Sequence, residues 1–333
     1  MIRKNMARLA ILMAPMVLAD LVSAQSIRTL DVTYESGEVT LAALLMLPPG
    51  DKPFPAAVIA QGSGASDRSN RWSREIAEEL VNNGLAVLLT DKRGAGASGG
   101  DWRTAGFSDL AADVLAGVEL LRARSEIDSA RIGLVGLSQG GQVVPLAAVG
   151  SDQIAFVISI SSKAVGFAEG SFLEMANTAR QAGLSEPEVR EIVQLNLAAL
   201  RFLTTGRWEQ YASAREHALE TPAREVAAGF PGSADEPIWT FLRSVVTYDP
   251  LVHWMQLSQP VFIVYGEGDE HDNTPVQESV RRLEHAFRGV NKTNYRILVV
   301  PGSGHGIRDT QAHRLAPHFK KALAEWLREY VRP

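Results

Sequence analysis

The chain has 333 residues, a hydrophobic fraction of 46%, a charged fraction of 21% and a formal net charge of −5. This is enough apolar chain for one large α/β domain or two ordinary ones, and without a basic tract it offers no footing for nucleic acid or an anionic membrane surface. The absence of cysteine excludes a disulfide framework, a thiolate metal site and a Cys nucleophile.

In chain order, the first feature is a leader. Arg3, Lys4 and Arg8 precede an almost unbroken apolar run from Leu9 to Leu18, and Val22-Ser23-Ala24 supplies small residues for cleavage. The run is too short to span a bilayer comfortably, so residues 1–24 are expected to be a cleaved signal peptide, with the mature protein periplasmic or secreted. No other segment reaches transmembrane length.

Thereafter short β-rich runs alternate with helical patterns, the sign of a mostly parallel sheet covered on both faces. Thr29–Tyr34 and Thr40–Leu47, turned by Ser36-Gly37, read as an antiparallel hairpin at a sheet edge. Ala56–Ala60 is a buried strand followed by Gly62-Ser63-Gly64. Trp72–Asn83 is a helix stopped by Gly84, and Leu85–Thr90 is a strand ending in Asp91-Lys92-Arg93-Gly94. From Ser108 a helix carries Leu110, Val114, Val118 and Leu121 on one face. Arg131–Val135 and Ile154–Ile160 read as strands on either side of a helix over Gln139–Val149. Residues 163–250 then show helical patterns only, such as Glu186–Leu203 and Arg207–Leu219. Alternation resumes with strand Pro260–Tyr265, a helix near Pro275–Phe287, strand Tyr295–Val300 and helix Ala312–Val331. The layout is one α/β core over 25–162 and 251–333, interrupted by a helical insertion at 163–250 between the sixth and seventh strands.

Gly136-Leu137-Ser138-Gln139-Gly140 lies where a strand ends and a helix begins. A Ser in such a tight turn projects its hydroxyl above the sheet, and the flanking glycines let strand and helix approach. That hydroxyl is a poor nucleophile without a base. Of seven histidines, His305 follows the last strand in Gly302-Ser303-Gly304-His305-Gly306, a loop that reaches the C-terminal edge of a parallel sheet. His217, His253, His271, His285, His313 and His318 fall in helical patterns or polar loops and read as surface or capping residues. The base needs a carboxylate to fix its tautomer. Asp269, in Gly266-Glu267-Gly268-Asp269 after the seventh strand, is the choice, with Glu267, Glu270 and Asp272 as competitors in the same loop. The chain order Ser138, Asp269, His305 is that of α/β-hydrolases. Backbone N–H groups of Gln139 and Ser63 are the expected oxyanion donors. The charges of Asp91, Lys92 and Arg93 are expected to form structural ion pairs. Asp269-Glu270-His271-Asp272 is rich in potential metal ligands, but contiguous residues do not readily converge on one ion and no H-E-x-x-H occurs. No metal or cofactor is expected.

Together these pieces resemble the α/β-hydrolase superfamily, in particular bacterial exported serine hydrolases of the serine aminopeptidase-like and dienelactone hydrolase-like kind. The resemblance rests on Gln61-Gly62-Ser63-Gly64 with Asp67-Arg68, and on Asp91-Lys92-Arg93-Gly94 with Gly96, Ser98 and Gly99. It extends through Gly136-Leu137-Ser138-Gln139-Gly140-Gly141, Tyr248-Asp249-Pro250 and Gly304-His305, nearly the whole chain beyond the leader. Members mostly carry His at the position of Gln61, a departure expected to bear on loop anchoring rather than catalysis. The resemblance implies a helical cap over the pocket, which fits 163–250, and hydrolysis of a small-molecule acyl substrate. An ester is the leading expectation, with an amide, peptide or thioester as alternatives and a non-catalytic binding protein as a more distant one.

Overall fold

Eight apolar runs pair into one sheet in a computed structural model that describes residues 26–51 and 53–332. The leader expected at 1–24 lies outside the described residues. The strands are β1 (Arg28–Ser36), β2 (Val39–Leu47), β3 (Phe54–Ala60), β4 (Ala86–Thr90), β5 (Ile127–Leu137), β6 (Val157–Ile160), β7 (Val261–Gly266) and β8 (Tyr295–Val300). Their spatial order is β1-β2-β4-β3-β5-β6-β7-β8. The hairpin β1–β2 and the β2–β4 pair are antiparallel, and every pairing from β4 through β8 is parallel. The edge hairpin and the parallel body are therefore as the sequence suggested.

Parallel strands buried on both faces read as continuous apolar runs, and the two-residue period divides them between two cores. In β7, Val261, Ile263 and Tyr265 face one core while Phe262 and Val264 face the other. Helices α2 (Phe107–Arg122) and α3 (Gly140–Val149), with α10 (Val276–Gly289), cover the first face. Helices α1 (Arg71–Asn82) and α11 (Pro317–Tyr330) cover the second.

The last helix starts five residues later than expected. Pro317 occupies its first turn, where a missing N–H costs nothing, and Ala316 before it is held extended at φ −59°, ψ 132°. Residues 308–315 close a small loop instead, with an Arg308–Leu315 bridge and the Asp309 carboxylate accepting from the Gln311 and Ala312 amides.

Between β6 and β7 the described chain contains helices and no strand: α4 (Phe167–Gln181), α5 (Glu186–Thr205), α6 (Trp208–Leu219), α7 (Arg224–Ala227), α8 (Ile238–Val245) and α9 (Leu251–Trp254). They bury a third apolar cluster of their own, built around Ile192, Leu195, Phe202, Tyr211 and Trp239. No described helix is long and apolar enough to cross a membrane.

Candidate active site

Strand β5 delivers Ser138 to the turn before α3, and the turn holds it at φ +51°, a left-handed conformation rare for a residue with a side chain. Two contacts show why glycines flank it. A Cβ on Gly140 would collide with the Ala60 carbonyl at the end of β3, and one on Gly136 would collide with the Gly140 carbonyl. Strand and helix thus approach to a distance that only hydrogen side chains permit. The Ser138 amide donates to the Ile160 carbonyl at 2.9 Å, which ties the strained residue to β6.

The loops after β7 and β8 bring the other two expected residues together. His305 Nδ1 lies 2.9 Å from both carboxylate oxygens of Asp269, whose side chain is 0% exposed. A carboxylate there accepts a hydrogen bond from Nδ1–H and leaves Nε2 free to take a proton. The arrangement is locked from several sides. Gly268 N–H donates to the Ser303 carbonyl at 2.8 Å, Ser161 Oγ donates to the His305 carbonyl at 2.7 Å, and the Trp72 ring lies 5.4 Å from the imidazole. The competing acids turn elsewhere: Glu267 accepts from the Gly302 amide, Glu270 from the Gln277 amide and Asp272 from the Gln181 side chain. Among the described residues, no group of three or more His, Cys, Asp or Glu could hold a metal ion. Five of the other histidines are exposed, while His253 is half-buried with its ring stacked on Tyr248. Burial holds His253 below the ordinary histidine range, against a smaller opposing pull from Asp249.

Ser63 and Gln139 meet Ser138 in one cavity of about 410 Å³, lined also by His305, Trp102, Phe167 and Glu174. Among the described residues neither the Ser63 nor the Gln139 N–H has a protein acceptor. Gly62 lies against the serine, since a Cβ on it would stand 3.5 Å from Ser138 Cβ. Gln61 anchors this loop: its amide donates to the Thr90 carbonyl at 2.8 Å and its oxygen accepts from Ser66 Oγ. That is the anchoring role expected at this position.

The charged loop after β4 divides. Asp91, 2% exposed, receives two donors from the Arg68 guanidinium and the amides of Arg68 and Ala97. Arg93 makes a two-pronged pair with Asp113 at 2.6 and 2.7 Å. Lys92 departs from the expected ion pairing. Its ammonium, in a residue 7% exposed, donates to the Gly62 carbonyl at 2.9 Å and to Gln139 Oε1 at 2.5 Å, and it has no carboxylate partner among the described residues. Burial pushes its pKa down to about 7.

The alpha/beta hydrolase family model matches residues 57–318. The chain belongs to the alpha/beta hydrolase family. Among curated proteins it is similar to the quorum-quenching protein AidA of Acinetobacter baumannii, 30% identical over 157 residues, 47% of this chain and 51% of AidA. The chain therefore spans about half the length of that relative. Among solved structures, Est1E of Butyrivibrio proteoclasticus with ferulic acid bound superposes with a TM-score of 0.60, at 22% identity over 91% of this chain and all of that one (100%). An esterase of Pyrococcus furiosus gives a TM-score of 0.59, at 19% identity over 92% of each chain. At these identities the two structures share the fold.

In this hydrolase-family chain, sequence reasoning missed three things near the serine. In the sequence Lys92 groups with its charged neighbours, and only the fold brings Gly62 and Gln139 to it. Lys163 pairs with Glu174 on the cavity wall, two residues that no motif marks. A second cavity of about 980 Å³, lined by Met175, Ala199, Leu200, Leu203, Trp239 and Leu242 among others, opens within the helical insertion and shares Phe167 and Glu174 with the first. Its apolar lining comes from α4, α5 and α8, whose helical periodicity alone does not say which face meets the cavity.

Proposed function

We propose that this chain is a serine hydrolase that cleaves a carboxylic ester through an acyl-enzyme on Ser138. One observation carries the reading: a serine held at φ +51° shares a cavity with an imidazole whose Nδ1 is gripped by a buried carboxylate. In this mechanism His305 Nε2 removes the hydroxyl proton as Ser138 Oγ attacks the ester carbonyl, and Asp269 stabilises the imidazolium. The carbonyl oxygen becomes an oxyanion facing the Ser63 and Gln139 N–H groups. His305 then returns the proton to the departing alcohol, and water repeats the sequence to release the acid. The reaction balances with no other reactant.

The adjoining cavity supports an ester with one extended apolar arm. Aliphatic and aromatic side chains such as Met175, Leu200, Leu203, Trp239 and Leu242 make up more than half of its wall, and the polar remainder includes the charged Glu174, Arg215, Glu225 and Glu236, so the apolar arm is assigned to the stretch formed by α4, α5 and α8. In this reading the helices between β6 and β7 act as a cap over the serine.

Ser138→Ala is expected to abolish cleavage of p-nitrophenyl butyrate and labelling by a fluorophosphonate probe, while leaving the melting temperature close to that of the parent chain. Undiminished ester cleavage by this variant would refute the reading.

A further inference from the structure

The Gly62–Ser63 peptide has two ends. Its N–H belongs to Ser63, which lines the cavity with Ser138 and has no protein acceptor among the described residues, and in a trans peptide its carbonyl points away from that N–H. The Lys92 ammonium sits on that carbonyl at 2.9 Å. The same ammonium holds the side-chain oxygen of Gln139 at 2.5 Å, and Gln139 is the residue whose backbone N–H follows the serine. Lys92 thus joins the two loops that each present one unpaired N–H. Its remaining side faces the Trp102 ring, 5.5 Å from the ring centre, a cation–π contact that strengthens when the cation is desolvated.

We propose that Lys92 is a positioning residue for the oxyanion site: its ammonium, behind the Gly62–Ser63 peptide and against the Gln139 side chain, fixes both loops and polarises the Ser63 N–H toward the developing negative charge. The proposal rests on the serine-hydrolase reading above. Two physical effects support it. A hydrogen bond accepted at an amide oxygen strengthens the N–H of the same amide, because chains of hydrogen bonds polarise one another in a low-dielectric interior. A donor fixed before the reaction also needs no reorganisation when charge develops. The alternative is that Lys92 only fills space. Burying an ammonium without a carboxylate is costly, and a purely apolar side chain of the same length would fill the position without that cost.

The test compares Lys92→Met with the parent chain on p-nitrophenyl butyrate and on a matched pair of inhibitors, a trifluoromethyl ketone and the parent methyl ketone. The trifluoromethyl ketone adds Ser138 Oγ and places an oxyanion in the site, whereas the methyl ketone binds largely as the ground-state carbonyl. The expected result is a fall in kcat of about ten- to a hundredfold with KM changed less than about threefold, below the loss from deleting a direct donor. Affinity for the trifluoromethyl ketone falls in parallel with kcat/KM, and affinity for the methyl ketone stays. Because the chain has no native cysteine, Lys92→Cys can be alkylated in denaturant with 2-bromoethylamine and refolded, which restores an ammonium at the same reach. Recovery of about half the lost kcat or more is expected if the charge itself acts. A correctly melting Lys92→Met that keeps its kcat and its trifluoromethyl ketone affinity overturns the proposal, as does an aminoethylated variant no better than untreated Lys92→Cys. Failure of the parent chain to take a fluorophosphonate on Ser138 overturns the serine reading and this proposal together.

Discussion

Asp269 presents both carboxylate oxygens to one imidazole nitrogen, while three other acids within residues 267–272 are committed to amides or to the Gln181 side chain at the end of α4. If Asp269 stabilises the imidazolium, Asp269→Asn should lower kcat on the order of a thousandfold or more, because an amide favours the wrong tautomer of His305. Glu270→Gln should stay within about twofold, since that side chain caps the Gln277 amide away from His305. Equal losses in the two variants would contradict the assignment. Ser138, Gln139 and His305 were legible in the sequence because each follows a strand at a fixed offset beside glycine. Which carboxylate meets His305 is not fully legible, since four carboxylates share one short loop and periodicity cannot say which turns inward. Lys92 was less so: its significance depends on Gly62, thirty residues away along the chain.

The loop after β4 is held by charge in a way that pH should expose. Burial alone would raise the Asp91 carboxyl, but the Arg68 guanidinium and the Arg68 and Ala97 amides outweigh it, so its pKa lies below the ordinary aspartate value. A depressed carboxyl contributes stability that is present above the unfolded-state pKa and is lost as pH falls through the folded-state pKa. The difference in melting temperature between the parent chain and Asp91→Asn should therefore stay constant from neutral pH down to about pH 5 and shrink only below about pH 4. A difference that vanishes already at pH 6 would show that another group carries the effect. The edge hairpin and the parallel strands are legible as short β-rich and apolar runs, and most helices from a 3.6-residue period. The start of α11 was misplaced because residues 312–316 carry helix-compatible residues, whereas Pro317 resets the chain and the Asp309 carboxylate captures amides locally.

At the level of the whole molecule, the helices between β6 and β7 share in two cores: Phe241, Val245 and Trp254 pack into the sheet core, and Leu242 touches both that core and the helices' own cluster. The sheet and its flanking helices form the two large cores, and the helices between β6 and β7 pack around Trp239, Tyr211 and Phe202. The sequence showed that residues 163–250 lack strands but not that their helices leave a cavity of about 980 Å³ that shares Phe167 and Glu174 with the cavity of Ser138, because a void is a property of side chains from several helices at once. If that cavity receives the apolar arm of the ester, Ala199→Phe should narrow it. Activity on p-nitrophenyl octanoate would then fall about tenfold or more relative to p-nitrophenyl acetate, a difference of a few buried methylenes. An unchanged octanoate-to-acetate ratio would place the arm elsewhere.

If Ser138 is the nucleophile, it is covalently acylated during turnover. Mixing the protein with excess p-nitrophenyl butyrate, quenching in acid within the first turnovers and mapping tryptic peptides by mass spectrometry tests it directly. The expected product is a butyryl group on Ser138, absent from Ser138→Ala and accumulating further in His305→Ala if that variant still acylates. Steady release of nitrophenol with an unmodified Ser138 peptide, or with the butyryl group on another residue, would contradict it.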